Sequence, residues 1–287
     1  MTSTLRATLW MLGAIFSFTA MAVAGRELGA SFDTFEIMMY RSAFGLVIVL
    51  MVGAAASKLH EIKGDALGLH TLRNLVHFTG QNLWFYAVTA IPLAQVFALE
   101  FTTPLWVIVL SPLLLGERLT VIRSIAACMG FIGILIVARP DVGGFNAGMI
   151  AAASCAIFFA LTFITTKRLT QTQTITAIMF YLTAMQLVFG LITAGYDGDI
   201  QMPGMVDLPL LGLVGACGLL AHFCIANALS IAPATIVAPV DFARLPIIAI
   251  IGWLAYAEVL DIWVFVGAAI IFAGNYLNIW TETRKSA

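Results

Sequence analysis

The amino-acid sequence points to an all-α membrane protein of ten transmembrane helices, built as two inverted five-helix repeats. Three observations carry this: an apolar composition, ten runs of spanning length, and a chain that repeats itself. Of the 287 residues, 61% are hydrophobic and 10% are charged, against about 25% charged in an ordinary soluble domain. The formal net charge is -1 and no basic patch is present, which excludes a nucleic-acid binder. No polar stretch is long enough to bury a separate catalytic domain. Cys128, Cys155, Cys217 and Cys224 all fall in apolar runs and form no CxxC pair. They read as packing residues without metal or redox meaning.

A bilayer core takes about 20 apolar residues per helix. That ruler gives spans over 6–24, 34–54, 67–89, 93–115, 119–138, 146–166, 174–194, 208–229, 234–256 and 262–281. The first run follows Arg6 and ends in Ala22-Val23-Ala24-Gly25, which has the look of a cleavable leader. The repeat needs this segment as a helix, so it is read as a span. Turn chemistry separates the other runs at Lys58 to Asp65, at Arg139-Pro140-Asp141, and from Tyr196 to Pro209. The breaks at Ile91-Pro92 and Ala232-Pro233 are short enough to demand tight antiparallel hairpins. Pro104, Pro112, Pro239 and Pro246 predict kinks in the fourth and ninth spans. Ala126, Gly130 and Gly133, with Gly267, Ala268 and Gly274, give the fifth and tenth spans small faces for close packing. Trp10, Trp253, Trp263 and Trp280 sit near span ends, where interfacial anchors belong.

Ten spans place both termini on one face. That face collects Arg6, Lys58, Lys63, Arg118, Arg123, Lys167, Arg168, Arg284 and Lys285, whereas the other holds only Arg26 and Arg139. The second face is instead acidic, with Glu27, Asp33, Asp141, Asp197, Asp199, Asp207, Glu258 and Asp261. By the positive-inside rule both termini are expected in the cytoplasm.

A shift of 141 residues lays the chain on itself. Pro92 falls on Pro233, Phe101 on Phe242, Glu117 on Glu258, Phe131 on Phe272 and Gly133 on Gly274, and Glu100 falls on Asp241. The expected units are 1–141 and 142–287. Five spans per half is an odd number, so the second half enters the membrane inverted. Two halves of opposite orientation can exchange conformations around one central site, as a carrier requires. Channels and membrane enzymes can be duplicated too, so the repeat alone leaves those classes open.

Phe35-Glu36-Ile37-x-x-Tyr40-Arg41-Ser42, Ala90-Ile91-Pro92, Leu115-Gly116-Glu117-Arg118-Leu119 and the echo Ala257-Glu258-Val259-Leu260 together resemble the EamA type of drug/metabolite transporter. The resemblance covers the whole chain. It implies a ten-helix carrier of small metabolites in the bacterial cytoplasmic (inner) membrane, and the chain looks most like the amino-acid-exporting branch. Similar carriers take riboflavin, S-adenosylmethionine or drug-like cations, and the motifs do not choose among these. The expectation is a broad-specificity amino-acid exporter or exchanger working by alternating access. It would act as a monomer or weak dimer, with a small-molecule substrate, a lipid bilayer and no cofactor. The sequence holds no GxxxxGK[ST], HExxH or GxSxG, so neither ATP drive nor an enzyme is expected. A channel or scaffold subunit stays open as the other reading.

A charge at the centre of a membrane helix costs roughly 2.5–3.5 kcal/mol on insertion scales, so each one asks for a reason. The candidates are Arg41, Arg73, Glu100, Asp241 and Arg244. By depth, Arg41 is expected to pair with Glu100. Asp241 is expected to pair with Arg244 at i+3, with Arg73 sharing the same carboxylate. These pairs can clamp helices, gate a pathway or touch cargo, and sequence leaves all three open. On the third span Arg73, His77, Gly80, Gln81 and Trp84 form one stripe, which cannot face lipid. The expected binding site is His77 and Gln81 for the polar ends of the cargo, with Trp84, Tyr86 and Tyr40 as an apolar wall. His222, Asn227 and Asn275 are given no role beyond helix–helix hydrogen bonds.

Overall fold

The computed structural model describes residues 3–115, 121–138, 146–196, 198–232, 237, 240–241, 244–259 and 261–285. Residues 116–120, the break at 139–141, Asp197, Pro233, Pro239 and Phe242 lie outside the described residues. So do the side chains of Pro112, Arg123, Ala126, Pro246, Asn275, Arg284 and Lys285. The helices are α1 (Ser3–Leu28), α2 (Thr34–Ala55), α3 (Leu67–Ala90), α4 (Leu93–Glu100), α5 (Thr103–Leu115), α6 (Val121–Ala138), α7 (Ala147–Leu169), α8 (Ile175–Ala194), α9 (Asp207–Ile231), α10 (Arg244–Tyr256) and α11 (Ile262–Lys285). They fall on the ten spans, and the fourth span is divided between α4 and α5. Six stretches among the described residues are long and apolar enough to cross a bilayer, and Ile247–Tyr256 and Ile262–Gly274 are shorter apolar helices.

The 141-residue shift holds in the backbone. It carries α5 onto α10 from first residue to last, and the starts of α2 and α6 onto the starts of α8 and α11. Asp33 and Thr174, one shift apart, are both N-caps: Asp33 accepts from the amide of Glu36, and Thr174 from that of Ala177. Ile91 and Ala232, one shift apart, both end a helix in extended backbone, at φ -137°, ψ 164° and φ -141°, ψ 157°.

Packing repeats the same exchange. The most extensive helix contacts are α1 with α9, α3 with α7, α6 with α11, and α2 with α8. Swapping the halves turns the first pair into the second and returns each of the others to itself, which is the signature of a pseudo-two-fold axis between inverted repeats. The small faces explain the α6–α11 contact. A methyl on Gly133 would lie 2.8 Å from the carbonyl oxygen of Gly267, so only glycine admits the facing backbone.

The break in the fourth span falls at Phe101–Thr102. Its freed carbonyls are met locally: the Thr102 hydroxyl donates to the Leu99 carbonyl at 2.8 Å, and the Thr103 hydroxyl to the Glu100 carbonyl at 2.6 Å. Pro104 then sits in the first turn of α5, where its missing N–H costs nothing. The interruption therefore precedes the proline, and it leaves Glu100 at the end of a half-helix.

Candidate functional site

One cavity lies where the two repeats meet, with about 720 Å³ of empty space including its open mouth. Its walls come from α1, α3, α4–α5, α7, α9, Asp241 and Arg244. Arg73, His77, Gln81 and Trp84 all line it, so the α3 stripe faces a cavity.

The acidic end is held across the repeats. Arg244 donates to Glu100 at 2.7 Å and also to Asp241, and the Trp84 indole donates to the other Glu100 oxygen at 2.7 Å. The guanidinium lies 4.9 Å from the ring centre of Phe18 and 4.6 Å from that of Phe97, which shields the bridge and adds cation–π attraction. The expected Asp241–Arg244 pair is present. The expected Arg41–Glu100 pair is not, because Arg244 takes Glu100. Arg41 instead donates to Gln81 at 2.6 Å, with the Met38 sulfur 3.8 Å away. Nor does Arg73 reach Asp241: it donates to Thr166 at 3.2 Å and to Asn74 at 2.8 Å. Depth misplaced Arg73 relative to Asp241: on α3 it lies about 16 Å along the axis from Trp84, which holds the acidic end through Glu100.

Arg41 and Arg73 are therefore buried cations bound only to neutral acceptors among the described residues. On α3, His77 lies between Arg73 and Gln81, the residue that holds Arg41, and its ring centre is 4.4 Å from that of His222, edge to face. Among the described residues neither nitrogen of His77 has a hydrogen-bond partner, nor does Nε2 of His222, Nε of Arg41 or Arg244, or Oδ1 of Asp241. Of these residues His77, His222, Asp241 and Arg244 line the cavity and Arg41 does not, although buried polar groups are normally satisfied.

Of the expected apolar wall, Trp84 lines the cavity and the two tyrosines do not. Tyr86 is 45% exposed on the outside of α3. Tyr40 lies away from the cavity, its hydroxyl donating to the Gln201 carbonyl at 2.6 Å. Phe18, Phe159, Phe163 and Phe101 line the cavity in their place. His222 is the residue that sequence reasoning undervalued. The signal was in the repeat, since the 141-residue shift carries Gln81 onto His222.

A family model for EamA-like transporters matches the chain twice, over residues 5–139 and 146–280. The chain belongs to the EamA-like transporter family. It is a multi-pass membrane transporter of small metabolites and not an enzyme. Among similar proteins, a riboflavin transporter of Vibrio cholerae is 30% identical over 288 residues, 98% of this chain and 95% of its own length. An S-adenosylmethionine uptake transporter of Rickettsia bellii is 27% identical over 275 residues, 96% of this chain and 94% of its own length. A solved structure 18% identical in sequence shares the fold, with a TM-score of 0.71 over 98% of this chain and 99% of that one.

Proposed function

We propose that this EamA-like carrier moves small metabolites with an amino-acid head by alternating access, as a broad-specificity exporter or exchanger. The observation that carries the reading is the set of unmet groups in one cavity: an acceptor on Asp241, donors on His77 and His222, and Arg73 without a carboxylate. A zwitterion supplies the complement of each. Its ammonium would meet Asp241 and Glu100. Its carboxylate would meet Arg73 and His77, and its body would lie against Phe18, Phe159 and Phe163. Leaving either end unpaired away from water costs about 1–3 kcal/mol or more, so the groups select for the head while the aromatic wall tolerates many bodies. Gln81 would act by holding Arg41, and Arg41 by clamping α2 to α3. Glu100, Asp241 and Arg244 would re-pair when cargo binds.

The two named cargoes of the relatives divide on this point. S-adenosylmethionine has an amino-acid head, and riboflavin does not. Residues 1–141 and 142–287 are read as the two moving units. The basic face is read as cytoplasmic, in the bacterial inner membrane. The test is efflux from proteoliposomes loaded with labelled methionine, competed by phenylalanine, S-adenosylmethionine and riboflavin. Methionine, phenylalanine and S-adenosylmethionine should saturate one pathway. Riboflavin transport with no amino-acid flux would overturn the reading. Single cysteines at positions 60 and 199 should label from opposite sides of the membrane.

A further inference from the structure

Outside the transport cavity a furrow runs along the flank of the bundle between α2, α8 and α9, with about 1130 Å³ of empty space including its open side. It shares no lining residue with the cavity. Its origin is local. Helices α2 and α9 touch at Gly215, where a methyl would lie 3.0 Å from the Arg41 carbonyl oxygen. Beyond that contact the lining includes Gly53, Ala56 and Ala216, which are too small to close the gap, while Val52 and Leu220 form exposed rims. The polar lining residues are Lys58, Thr176 and Asn227, and all three stand at the basic-face end of their elements. The rest of the lining is apolar. From Asn227 to Ala216 the furrow follows α9 for about 16 Å, half of a bilayer core about 30 Å thick.

The mouth is shaped by the end of α2. Ser57 turns at φ 55°, its amide donates to the Ala54 carbonyl at 3.0 Å, and the Lys58 amide donates to the Gly53 carbonyl at 2.8 Å. This is a Schellman turn, and it brings the chain back so that Lys58 lines the furrow. Among the described residues no carboxylate lies within ion-pair distance of Lys58. The chain then carries Glu61 to the start of α8, beside the hydroxyls of Thr176 and Thr174. Asn227 donates to the Phe223 carbonyl at 2.8 Å and keeps its amide oxygen as an acceptor. One cation, one carboxylate and one neutral acceptor therefore ring the mouth of an apolar channel one leaflet deep.

We propose that this furrow is a binding site for one phosphatidylethanolamine molecule of the leaflet at the basic face. An acyl chain lies along Val49, Leu219 and Phe223, the phosphate meets Lys58, and the headgroup ammonium donates to Glu61 and Asn227. A lysine holds phosphate as a point charge, and basic pockets between membrane helices take lipid headgroups. Glu61 decides between headgroups. A primary ammonium donates three hydrogen bonds; the quaternary ammonium of phosphatidylcholine donates none, and phosphatidylglycerol brings no cation for the carboxylate. The lipid would bridge α2 of the first repeat and α8 and α9 of the second. The site rests neither on the cavity nor on the identity of the cargo.

The test is lipid retention by the full chain. The protein in mild detergent is mixed with equal amounts of dioleoyl phosphatidylethanolamine, phosphatidylglycerol and phosphatidylcholine, and bound lipid is counted by native mass spectrometry. Phosphatidylethanolamine should be retained about fivefold or more over phosphatidylcholine, the scale of one charge-assisted hydrogen bond. Glu61→Gln should remove most of that preference without lowering retention of phosphatidylcholine. Lys58→Gln should lower retention of all three lipids several-fold. Ala216→Phe should fill the furrow and displace the acyl chain, and monodisperse elution checks that each variant folds. Equal retention of the three lipids, retention of phosphatidylglycerol above phosphatidylethanolamine, or folded variants that all retain phosphatidylethanolamine as the unaltered chain does would overturn the proposal. So would a dimer mass without bound lipid that is lost in Ala216→Phe, which would make the furrow a contact between two copies of the chain.

Discussion

Helices α3 and α9 are the same helix written twice, and they differ in almost everything but place. Each runs to the same repeat position, ends in the same extended cap and packs on its counterpart's first helix. Along the inner face α3 presents Arg73, His77, Gln81 and Trp84, where α9 presents Val214, Gly218, His222 and Ile225. The broken spans differ in the same way: Thr103 begins α5, and its mate Arg244 begins α10. The lesson is that duplication fixed the scaffold while one copy at each position took up the chemistry. An inverted pair of backbones can rock symmetrically, yet its cargo meets an asymmetric wall.

The largest effect should come from Arg244, which holds a carboxylate of each repeat. Arg244 neutralises carboxylates from both repeats, so Arg244→Gln leaves two buried acids together. Breaking a buried pair costs about 3–5 kcal/mol, and a steep fall in melting temperature in detergent is expected. Adding Glu100→Gln and Asp241→Asn should recover the melting temperature and leave flux absent. Recovery of both would reduce the bridge to a clamp.

Arg73→Gln should separate stability from transport. Its mate is Val214, and the scaffold does not need a cation there. Among the described residues Arg73 is buried without a carboxylate, so its removal relieves an uncompensated charge. The expected melting temperature is unchanged or higher, while flux falls about tenfold or more through loss of a charge-assisted contact to the cargo. A loss of stability with flux intact would make Arg73 structural.

Much of the scaffold was legible in advance because it depends on periodic and covalent signals. Run length, the 141-residue shift and the glycines of α6 and α11 report backbone requirements, and backbone requirements are local. The cavity residues on α3 were legible for a related reason: a polar stripe cannot face lipid. Partner choice was not legible. Arg41 takes Gln81 and leaves Glu100 to Arg244, and this depends on rotation of helices from separate halves, which spacing along one helix does not encode. Tyr86 shows the same gap, being at the right depth on the wrong side of α3.

Gly218 offers a milder break of the comparison. It stands one shift from His77, but the Arg41 side chain passes where its methyl would be, 2.7 Å from Nη2. Gly218→Ala should cost about 1–3 kcal/mol by overpacking, seen as a lower melting temperature. Combining it with Arg41→Ala should remove most of that cost, and no recovery would point to a backbone clash instead.

The smallest effect expected is also the sharpest on what α9 contributes. His222 is the mate of Gln81, so His222→Gln makes the two helices alike at that level. If α9 supplies only a hydrogen-bonding surface, glutamine serves: it offers a donor toward the cargo and fits beside Phe18, whose ring centre lies 5.6 Å from that of His222. Flux should then stay within about twofold, because the exchanged hydrogen bond is worth only ~1 kcal/mol and is largely replaced. His222→Leu removes the donor and should cost several-fold more. On α3 the same logic runs the other way: His77→Ala or Gln81→Ala, measured at equal protein in liposomes, should lose most transport while the protein stays monodisperse. A folded His222→Gln variant without flux would mean that the ring itself is needed, and that the pair at 4.4 Å acts as one unit drawn from both repeats.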